Sequence, residues 1–263
     1  MNLGLKNKIA LVTAASQGLG KASAMALARE GATTIICSRR KKEITEVAKE
    51  IHDLTGAAVI SMVADVTKRE DITRVVVETK QQFGTVHILV NNAGGPPTGT
   101  ISSLADEDWT QGHELTLMSM VRFTREILPL MTEQRWGRII TIVSISAKQP
   151  INELLLSSAI RPGILGLTKV LSNLHAKDNI TVNTICPGSI LTQRQEELAL
   201  SRGAKKNMTM EEYLKEAADS IPAGRLGRPE EIGNTVAFLA SEQASYINGV
   251  NLLVDGGAAK GIH

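Results

Sequence analysis

Three polar residues near the middle of the chain have the types and spacing to act together in chemistry. Ser144 follows the apolar run 138–143, which is typical of a buried strand, and Ser157 comes thirteen residues later. Arg161 lies four residues beyond Ser157, so a helix over 153–177 would place both side chains on one face. The two hydroxyls can relay protons, and the guanidinium can stabilise developing negative charge.

The elements that position these residues follow an alternating pattern. Short apolar runs that predict strands are separated by amphipathic stretches that predict helices. Right-handed crossovers between parallel strands place helices on both faces of such a sheet. The chain is therefore predicted to form a single α/β domain over 1–263, with a doubly wound seven-stranded parallel sheet and six helical segments. The predicted strands are 8–13, 33–37, 57–64, 86–90, 138–143, 180–185 and 250–254, and the predicted helices are 21–30, 41–54, 68–83, 106–131, 153–177 and 229–240.

Composition and charge argue against several other classes of protein. The chain is 43% hydrophobic with 22 glycines and seven aromatic residues, which suits a buried parallel sheet and does not suit disorder. The net charge is +2 and the basic residues are scattered, so nucleic-acid binding is not indicated. Cys37 and Cys186 end apolar runs and are predicted to be buried thiols. We predict a cytoplasmic protein without a metal site or a membrane partner, since no run of about 18 apolar residues is present.

A glycine-rich turn between the first strand and the first helix is typical of a dinucleotide site. Gly18 and Gly20 allow backbone amides to approach a pyrophosphate, whose charge the helix N-terminus stabilises. Two glycines alone also fit a simple tight turn. A second polar, glycine-rich turn at 91–97 follows another strand, and open α/β sheets bind ligands at such strand ends.

Motifs at several strand ends, in this order along the chain, resemble the short-chain dehydrogenase/reductase family. They are Thr-Ala-Ala-Ser-Gln-Gly-Leu-Gly at 13–20, Asn-Asn-Ala-Gly at 91–94, Pro-Gly at 187–188 with Thr192 four residues on, and 248–257 from Asn-Gly to Asp-Gly-Gly. The resemblance covers essentially the whole chain. It is closest to the branch of 3-oxoacyl-carrier-protein reductases, which Gly-Arg-Ile-Ile-Thr-Ile at 137–142 and Pro-Ala-Gly-Arg-Leu-Gly at 222–227 match.

This resemblance implies a Rossmann fold and a nicotinamide dinucleotide cofactor. It also implies a small-molecule carbonyl or alcohol substrate, and a homotetramer or homodimer. Ala14 stands where the family has the first glycine of its loop, and an Ala there costs about 1 kcal/mol if the position needs a positive φ. The cofactor residues implied are Ala14, Ser16, Gln17, Gly18, Leu19 and Gly20; Ser38, Arg39 and Arg40; Asp65 and Val66 beside the adenine; Asn92 and Gly94 beside the adjoining ribose; Arg161; and Pro187, Gly188, Ile190 and Thr192 at the nicotinamide end.

The end of the second predicted strand favours NADP(H) over NAD(H). An NAD site needs a carboxylate there to accept the ribose hydroxyls, whereas a 2′-phosphate needs cations. The chain has Ser38, Arg39 and Arg40 at this place, with no acid before Glu43. A guanidinium can bind the phosphate through two hydrogen bonds. A basic helix start that faces water is the alternative interpretation.

The family's catalytic residues are only partly present by this resemblance. Ser144 fills the position of the Ser that holds the substrate oxygen. Ser157 replaces the Tyr that passes the proton, and Arg161 replaces the Lys that lowers the Tyr pKa. Thr116 replaces the Asn that supports a water relay. A serine hydroxyl is too weak an acid to be tuned as a phenol is, so it can relay a proton more readily than supply one.

Three hypotheses follow from these replacements. The first is a reductase in which hydride position and charge stabilisation carry most of the rate and protons arrive through Ser144, Ser157 and water. The second is a non-catalytic NADP(H)-binding protein that acts as a sensor or partner subunit. The third uses another acid, either Tyr213 or His113, although the first equally fits a packing residue and the second an exposed helix residue.

The polar segment 192–220 is predicted to be a mobile lid over the edge of the sheet. Met208, Met210 and Tyr213 are spaced along it, which suits either an apolar ligand or packing within the lid. The predicted helix 153–177 is rich in Leu and nearly apolar on most faces. Such a helix is expected to be buried against the sheet or another subunit.

Overall fold

One parallel sheet of seven strands runs through the computed structural model, which describes residues 2–261 except the side chains of Ser201, Arg202 and Lys205. The five inner strands are buried on both faces, which explains their near-continuous apolar content, and the two edge strands are only partly buried. They are β1 (Ile9–Val12), β2 (Thr33–Ser38), β3 (Val59–Val63), β4 (Ile88–Asn91), β5 (Gly137–Ile142), β6 (Ile180–Pro187) and β7 (Asn251–Val254).

The strand order is β3-β2-β1-β4-β5-β6-β7, and every neighbouring pair is parallel. The chain first winds outward from β1 to β3 and then crosses back to β4, which pairs with β1. The carboxyl ends of β1 and β4 therefore flank the point where the winding direction changes, and open α/β sheets bind ligands there. The predicted doubly wound Rossmann fold is confirmed.

Within the described residues, nine α-helices cover the two faces and one end of the sheet. Short 3₁₀ turns lie at Ile145–Ala147, Asn152–Leu154, Ala176–Asp178 and Glu242–Ala244. The helices are α1 (Gly18–Arg29), α2 (Lys41–Thr55), α3 (Arg69–Phe83), α4 (Asp106–His113), α5 (Ser119–Glu133), α6 (Leu155–His175), α7 (Gln193–Lys205), α8 (Met210–Asp219) and α9 (Pro229–Ala240).

Each face of the sheet has its own hydrophobic core. Leu27 of α1, Ile44 of α2 and Ile232 of α9 pack in the core of one face. Ile72 of α3 and Phe123 of α5 pack in the core of the other. Both layers hold the strands in register, so the residues at the strand ends have fixed positions. Cys37 and Cys186 are buried free thiols, as predicted, and burial raises the pKa of Cys37 to about 12.

Two local predictions about the elements were wrong. The prediction of six helical segments was too low, because 192–220 contains two helices rather than irregular chain. Thr192 caps α7 by accepting a hydrogen bond from Gln195 N at 3.3 Å, and Thr209 and Glu212 form a capping box at the start of α8. The strand predicted at 57–64 is confined to β3.

The helical prediction for 106–131 is confirmed. It consists of two α-helices, α4 and α5, which are joined without a break by a π-helical turn, Glu114–Met118.

One helical stretch, Asn152–Asp178, is long and apolar enough to cross a membrane by composition, with a mean hydropathy of 1.4. Only 28% of its most apolar window is buried in the described chain. A single stretch of this kind is weak evidence for a membrane, because helices of soluble proteins meet the same test. The stretch contains Arg161 and Lys169.

Candidate active site

The carboxyl ends of the strands open into a cleft of about 1300 Å³. The turns after β1 to β6 form its floor, and the start of α7 forms part of one wall. All the residues predicted to bind the cofactor line this cleft except Gly20, and Ser144, Ser157 and Arg161 line it too. Three of the four strand-end motifs, 13–20, 91–94 and 187–192, therefore meet at one place in the fold, whereas the motif at 248–257 does not line the cleft.

The turn after β1 is packed so closely around Gly20 that it leaves no room for a side chain. A Cβ on Gly20 would lie 2.5 Å from the Ala14 carbonyl oxygen and 2.7 Å from Asn92 Nδ2, so no larger residue fits. Asn92 Nδ2 donates to the Ala14 carbonyl at 3.1 Å, which ties this turn to the end of β4. Gly20 therefore allows the turn to pack closely against the end of β4, and it does not line the cleft.

Ala14 adopts a left-handed conformation with φ 48°, so the position does need a positive φ. An Ala there costs about 1 kcal/mol relative to Gly. The following helix α1 begins at Gly18, and its N-cap residue Gln17 makes no side-chain capping hydrogen bond with the described residues. The first amide groups of α1 remain available to a pyrophosphate at the cleft floor.

The end of β2 presents cations and no carboxylate of its own. Arg40 Nη2 donates to Gln17 Oε1 at 2.7 Å, and Arg40 Nη1 forms an ion pair with Glu43 Oε1 at 3.6 Å. Arg39 is exposed. Asp65, which lines the cleft after β3, accepts hydrogen bonds from Thr67 N at 2.9 Å and Thr67 Oγ1 at 2.8 Å. With the nearby acid engaged in its own turn, this end of the cleft suits a 2′-phosphate better than free ribose hydroxyls.

Ser157 and Arg161 share one face of α6, as their spacing predicts. Arg161 Nε donates to Ser157 Oγ at 2.8 Å, and Arg161 Nη1 donates to the Val143 carbonyl at the end of β5. Ser144 follows directly, and its Oγ accepts hydrogen bonds from Ser146 N at 3.1 Å and Ser146 Oγ at 2.9 Å. Both Ser144 and Ser157 therefore act as acceptors within the chain, so each hydroxyl hydrogen is free for a ligand.

Arg161 is a buried cation, only 7% exposed. Burial, and next the positive charge of Arg194, lower its pKa to about 10. The guanidinium is still charged at neutral pH, since that value lies well above pH 7. A buried charge whose hydrogen-bond partners are neutral raises the local positive potential that a developing oxyanion would meet.

Thr116 does not line the main cleft. It lies in the π-helical turn, and its Oγ1 donates to the Gly112 carbonyl at 2.6 Å. Thr116 lines a second, water-sized cavity of about 10 Å³ together with Asn91 and Arg161. Asn91 Oδ1 is buried beside this cavity and has no hydrogen-bond partner among the described residues. Arg161 lines both cavities, whereas Ser144 lines only the main cleft.

The two alternative acids lie away from the trio. Tyr213 is absent from the lining of the cleft and packs between α7 and α8, where Lys206 Nζ lies 5.5 Å from its ring centroid. His113 is exposed at the end of α4 and does not line the cleft either. Of the described residues, no group of three or more His, Cys, Asp or Glu is placed to hold a metal ion.

Arg194 is the cleft residue that sequence reasoning missed. It lies in the first turn of α7 and lines the cleft, with its guanidinium over Gly95. The signal was present, because a cation follows Thr192 by two residues and Thr192 was already assigned to the site. The start of α7 had to be known before this exposed side chain could be placed at the rim of the cleft, over Gly95.

Comparisons with known proteins agree along the whole chain. A family model described as enoyl-(acyl carrier protein) reductase matches residues 13–259. The uncharacterized oxidoreductase YvaG of Bacillus subtilis is 37% identical, with 100% of both chains covered. The 3-oxoacyl-[acyl-carrier-protein] reductase FabG of Escherichia coli is 36% identical, covering 97% of this chain and 98% of FabG. L-sorbose reductase of Gluconobacter frateurii, solved with NADPH and L-sorbose, has a TM-score of 0.96 at 35% identity, with 100% of each chain covered.

A doubly wound sheet with a glycine-rich turn at the change of winding, followed by a helix whose N-cap makes no side-chain hydrogen bond, is typical of a dinucleotide-binding protein. The matches along its length show that the chain belongs to the short-chain dehydrogenase/reductase family, with 3-oxoacyl-carrier-protein reductases among its relatives. Its cofactor is NADP(H), consistent with the NADPH-bound structure it resembles and with the two arginines that follow β2.

Proposed function

We propose that this protein interconverts a carbonyl compound and an alcohol, in the manner of a 3-oxoacyl reductase but with an atypical proton transfer. The observation that carries the proposal is the pair of hydroxyls on the cleft wall. Ser144 and Ser157 both accept hydrogen bonds from the chain, so both can donate to a substrate oxygen. Cofactor binding can account for the buried cation of Arg161, but it does not require two free hydroxyl donors on the same wall.

NADP(H) supplies or accepts the hydride when it is bound. The first turn of α1 would hold its pyrophosphate, and Arg39 and Arg40 its 2′-phosphate. Asp65 and Val66 would flank the adenine, and Asn92 and Gly94 the adjoining ribose. Pro187, Gly188, Ile190 and Thr192 would line the nicotinamide end, with Arg161 on its ribose hydroxyls.

Within this arrangement Ser144 orients the carbonyl oxygen and Ser157 passes it a proton that water replaces. Arg161 holds Ser157 in place through Nε and stabilises the alkoxide by its charge. Thr116 acts only indirectly, through the water-sized cavity behind Arg161. The rate then depends on orientation and charge stabilisation more than on a strong acid.

The segment 192–220 is proposed to act as the lid of this single-domain enzyme. α7 and α8 pack on each other, and only the start of α7 reaches the cleft. Their packing leaves Met208, Met210 and Tyr213 outside the cleft lining, which favours their role in packing over contact with an apolar ligand.

A homodimer or homotetramer is proposed from one face of α6. Val170 and Leu174 are 55% and 67% exposed there. A Cβ at Gly163 or Gly166, on the same face, would meet nothing within 4 Å of the chain itself. An apolar face with such open glycines is suited to close approach by a second copy. A cytoplasmic location, without nucleic-acid or membrane partners, stays a prediction from the sequence.

The test is to incubate the purified protein with NADPH and a panel of ketones, quinones and 3-oxoacyl thioesters. Loss of the absorbance of the reduced nicotinamide would be followed, together with NADPH binding by fluorescence. Turnover of at least one carbonyl class is expected. If NADPH binds and no carbonyl is reduced, the alternative of a non-catalytic NADP(H)-binding protein, a sensor or partner subunit, replaces the proposal.

A further inference from the structure

We propose that Arg194 and Arg161 form an anion-binding subsite at the substrate end of the cleft, and that the substrate is an oxo acid or hydroxy acid bound by its carboxylate. This inference rests on the proposed function, since it names the substrate class of the same site. It would distinguish the protein from a reductase of neutral ketones.

The first observation is that Arg161 is a buried charge without a counter-ion. It is 7% exposed, and its hydrogen bonds go to a serine hydroxyl and a backbone carbonyl, both neutral. It takes part in none of the ion pairs found among the described residues. Buried charges are costly unless they are paired, so this position favours an anionic ligand.

The second observation is that another guanidinium lies nearby. Arg194 lies over Gly95, where a Cβ would approach its Nη2 to 2.8 Å and its Cζ to 3.2 Å. The absence of a side chain at Gly95 therefore makes room for Arg194 above the loop that follows β4. Its charge is close enough to contribute to the lowered pKa of Arg161. Both guanidinium groups line the same cleft, and an anion bound there would reduce the repulsion between the two like charges.

The third observation is that the acids of the cleft are engaged elsewhere. Glu114 forms an ion pair with Arg122 at 2.6 Å. Asp65 accepts two hydrogen bonds within its own turn. Glu197 accepts from Gln193 at 3.2 Å, and it makes no ion pair with Arg194 within the described chain. Among the described residues, neither arginine forms an ion pair with a carboxylate of the cleft.

The position of the subsite separates it from the cofactor's 2′-phosphate. Arg39, Arg40 and Lys68 line the cleft at the ends of β2 and β3, on the far side of β1. Arg161 and Arg194 lie beyond β4, with Ser144. A carboxylate matches a guanidinium through two parallel hydrogen bonds, and the positive end of the α7 dipole would add to the attraction. The remaining rival anion is the cofactor's pyrophosphate, for which α1 already provides a site.

The experiment measures binding to the complex of the enzyme with NADP⁺, which cannot reduce an oxo acid. Acetoacetate and 2-oxobutyrate are titrated by calorimetry beside their methyl esters, which match them in shape and lack the charge. Wild type is compared with Arg194→Gln, with Arg194→Lys, and with Arg29→Gln, a matched change at an exposed arginine outside the cleft. Thermal melting checks that each variant is folded.

At least one acid is expected to bind about 10-fold more tightly than its ester to wild type and Arg29→Gln. Arg194→Gln should remove that preference while leaving NADPH affinity unchanged, and Arg194→Lys should keep part of it. Equal binding of acid and ester in wild type would overturn the inference. So would an equal loss of NADPH affinity in Arg194→Gln, which would assign the arginine to the pyrophosphate.

The two proposals can fail separately in this design. Preferential binding of an acid without any turnover in the presence of NADPH would contradict the reductase and support the subsite. Turnover of neutral ketones without a preference for acids would support the reductase and contradict the subsite.

Discussion

At the scale of single residues, the site has two serine hydroxyls and an arginine where the family has a serine, a tyrosine and a lysine. Ser157 and Ser144 both have a hydroxyl hydrogen available, but neither can be poised as a phenol is. Arg161 has a planar guanidinium where the family has the compact ammonium of Lys. Two of its nitrogens, Nε and Nη1, donate hydrogen bonds to Ser157 and to the end of β5. The same cation thus positions the relay and stabilises the oxyanion.

Removing that cation should affect binding and chemistry together. We expect Arg161→Ala to lower NADPH affinity and any turnover by about 10-fold or more, because a charge-assisted contact to the ribose and the support of Ser157 are both lost. Fluorescence titration and steady-state kinetics measure the two effects. Lys169→Ala, an exposed change further along α6, is the control. If Arg161→Ala retained full affinity and full activity, Arg161 would be a bystander.

The cofactor preference should depend on the residues after β2. We expect Arg39→Ala to weaken NADPH binding by about 10-fold and to change NADH binding little, because only NADPH carries the 2′-phosphate. Lys42→Ala, at an exposed position in the first turn of α2, controls for the loss of a surface charge. Equal losses for the two cofactors would show that Arg39 acts on something they share.

At the scale of elements, the segment that follows the lid is fastened to α9 by one carboxylate. Glu231 accepts hydrogen bonds from Arg225 at 2.7 Å and 2.9 Å and from the backbone N–H of Arg228 at 2.7 Å. The same segment pairs with the cofactor site, since Gly227 forms a β-bridge with Ile190. These contacts lower the pKa of Glu231 from 4.5 to about 2, with the Arg225 hydrogen bond as the largest cause.

A lowered pKa in the folded state predicts the direction of a pH effect. The stabilisation by Glu231 is complete above its unfolded pKa of 4.5 and is lost as the pH falls towards about 2. Glu231→Gln should reduce the free energy of unfolding by about 1 kcal/mol at neutral pH, and the difference from wild type should shrink below pH 4.5. Denaturant unfolding over this pH range tests it, with Glu230→Gln as the control. A difference that stays constant with pH would contradict the assignment.

Much of the fold followed from sequence, because the strands repeat a pattern that only one arrangement satisfies. β5, β6 and α9 begin within one residue of their predicted starts, and the residues predicted to bind the cofactor all line one cleft except Gly20. The two lid helices were missed, because they are rich in polar residues and their N-caps, Thr192 and Thr209, were not recognised. The π-helical turn has no sequence signal of its own, so the absence of Thr116 from the lining of the cleft could not be foreseen.

At the scale of the whole molecule, α6 serves two surfaces at once. Its inner face carries Ser157 and Arg161 to the cleft, while its outer face leaves Val170 and Leu174 exposed. A second copy on the outer face would therefore lie directly behind the site and stiffen the helix that holds it.

This arrangement predicts an oligomer that a single charge disrupts. Wild type is expected to elute as a dimer or tetramer by size-exclusion chromatography with light scattering. Val170→Arg should shift it towards smaller species, because a charge would be buried in an apolar contact. Leu54→Arg, at a residue of α2 that is 64% exposed, should not. A monomeric wild type would contradict the proposed role of this face.

The central claim is that the chain reduces carbonyls although its proton relay is built from serines and an arginine. The most direct measurement follows the hydride itself, with NADPH deuterated at its hydride-donating carbon and the product alcohol analysed by mass spectrometry. We expect one deuterium on the former carbonyl carbon of the product alcohol, and we expect Arg161→Ala to lower the rate at which this alcohol forms. NADPH binding with no deuterated alcohol from any carbonyl of the panel would contradict it.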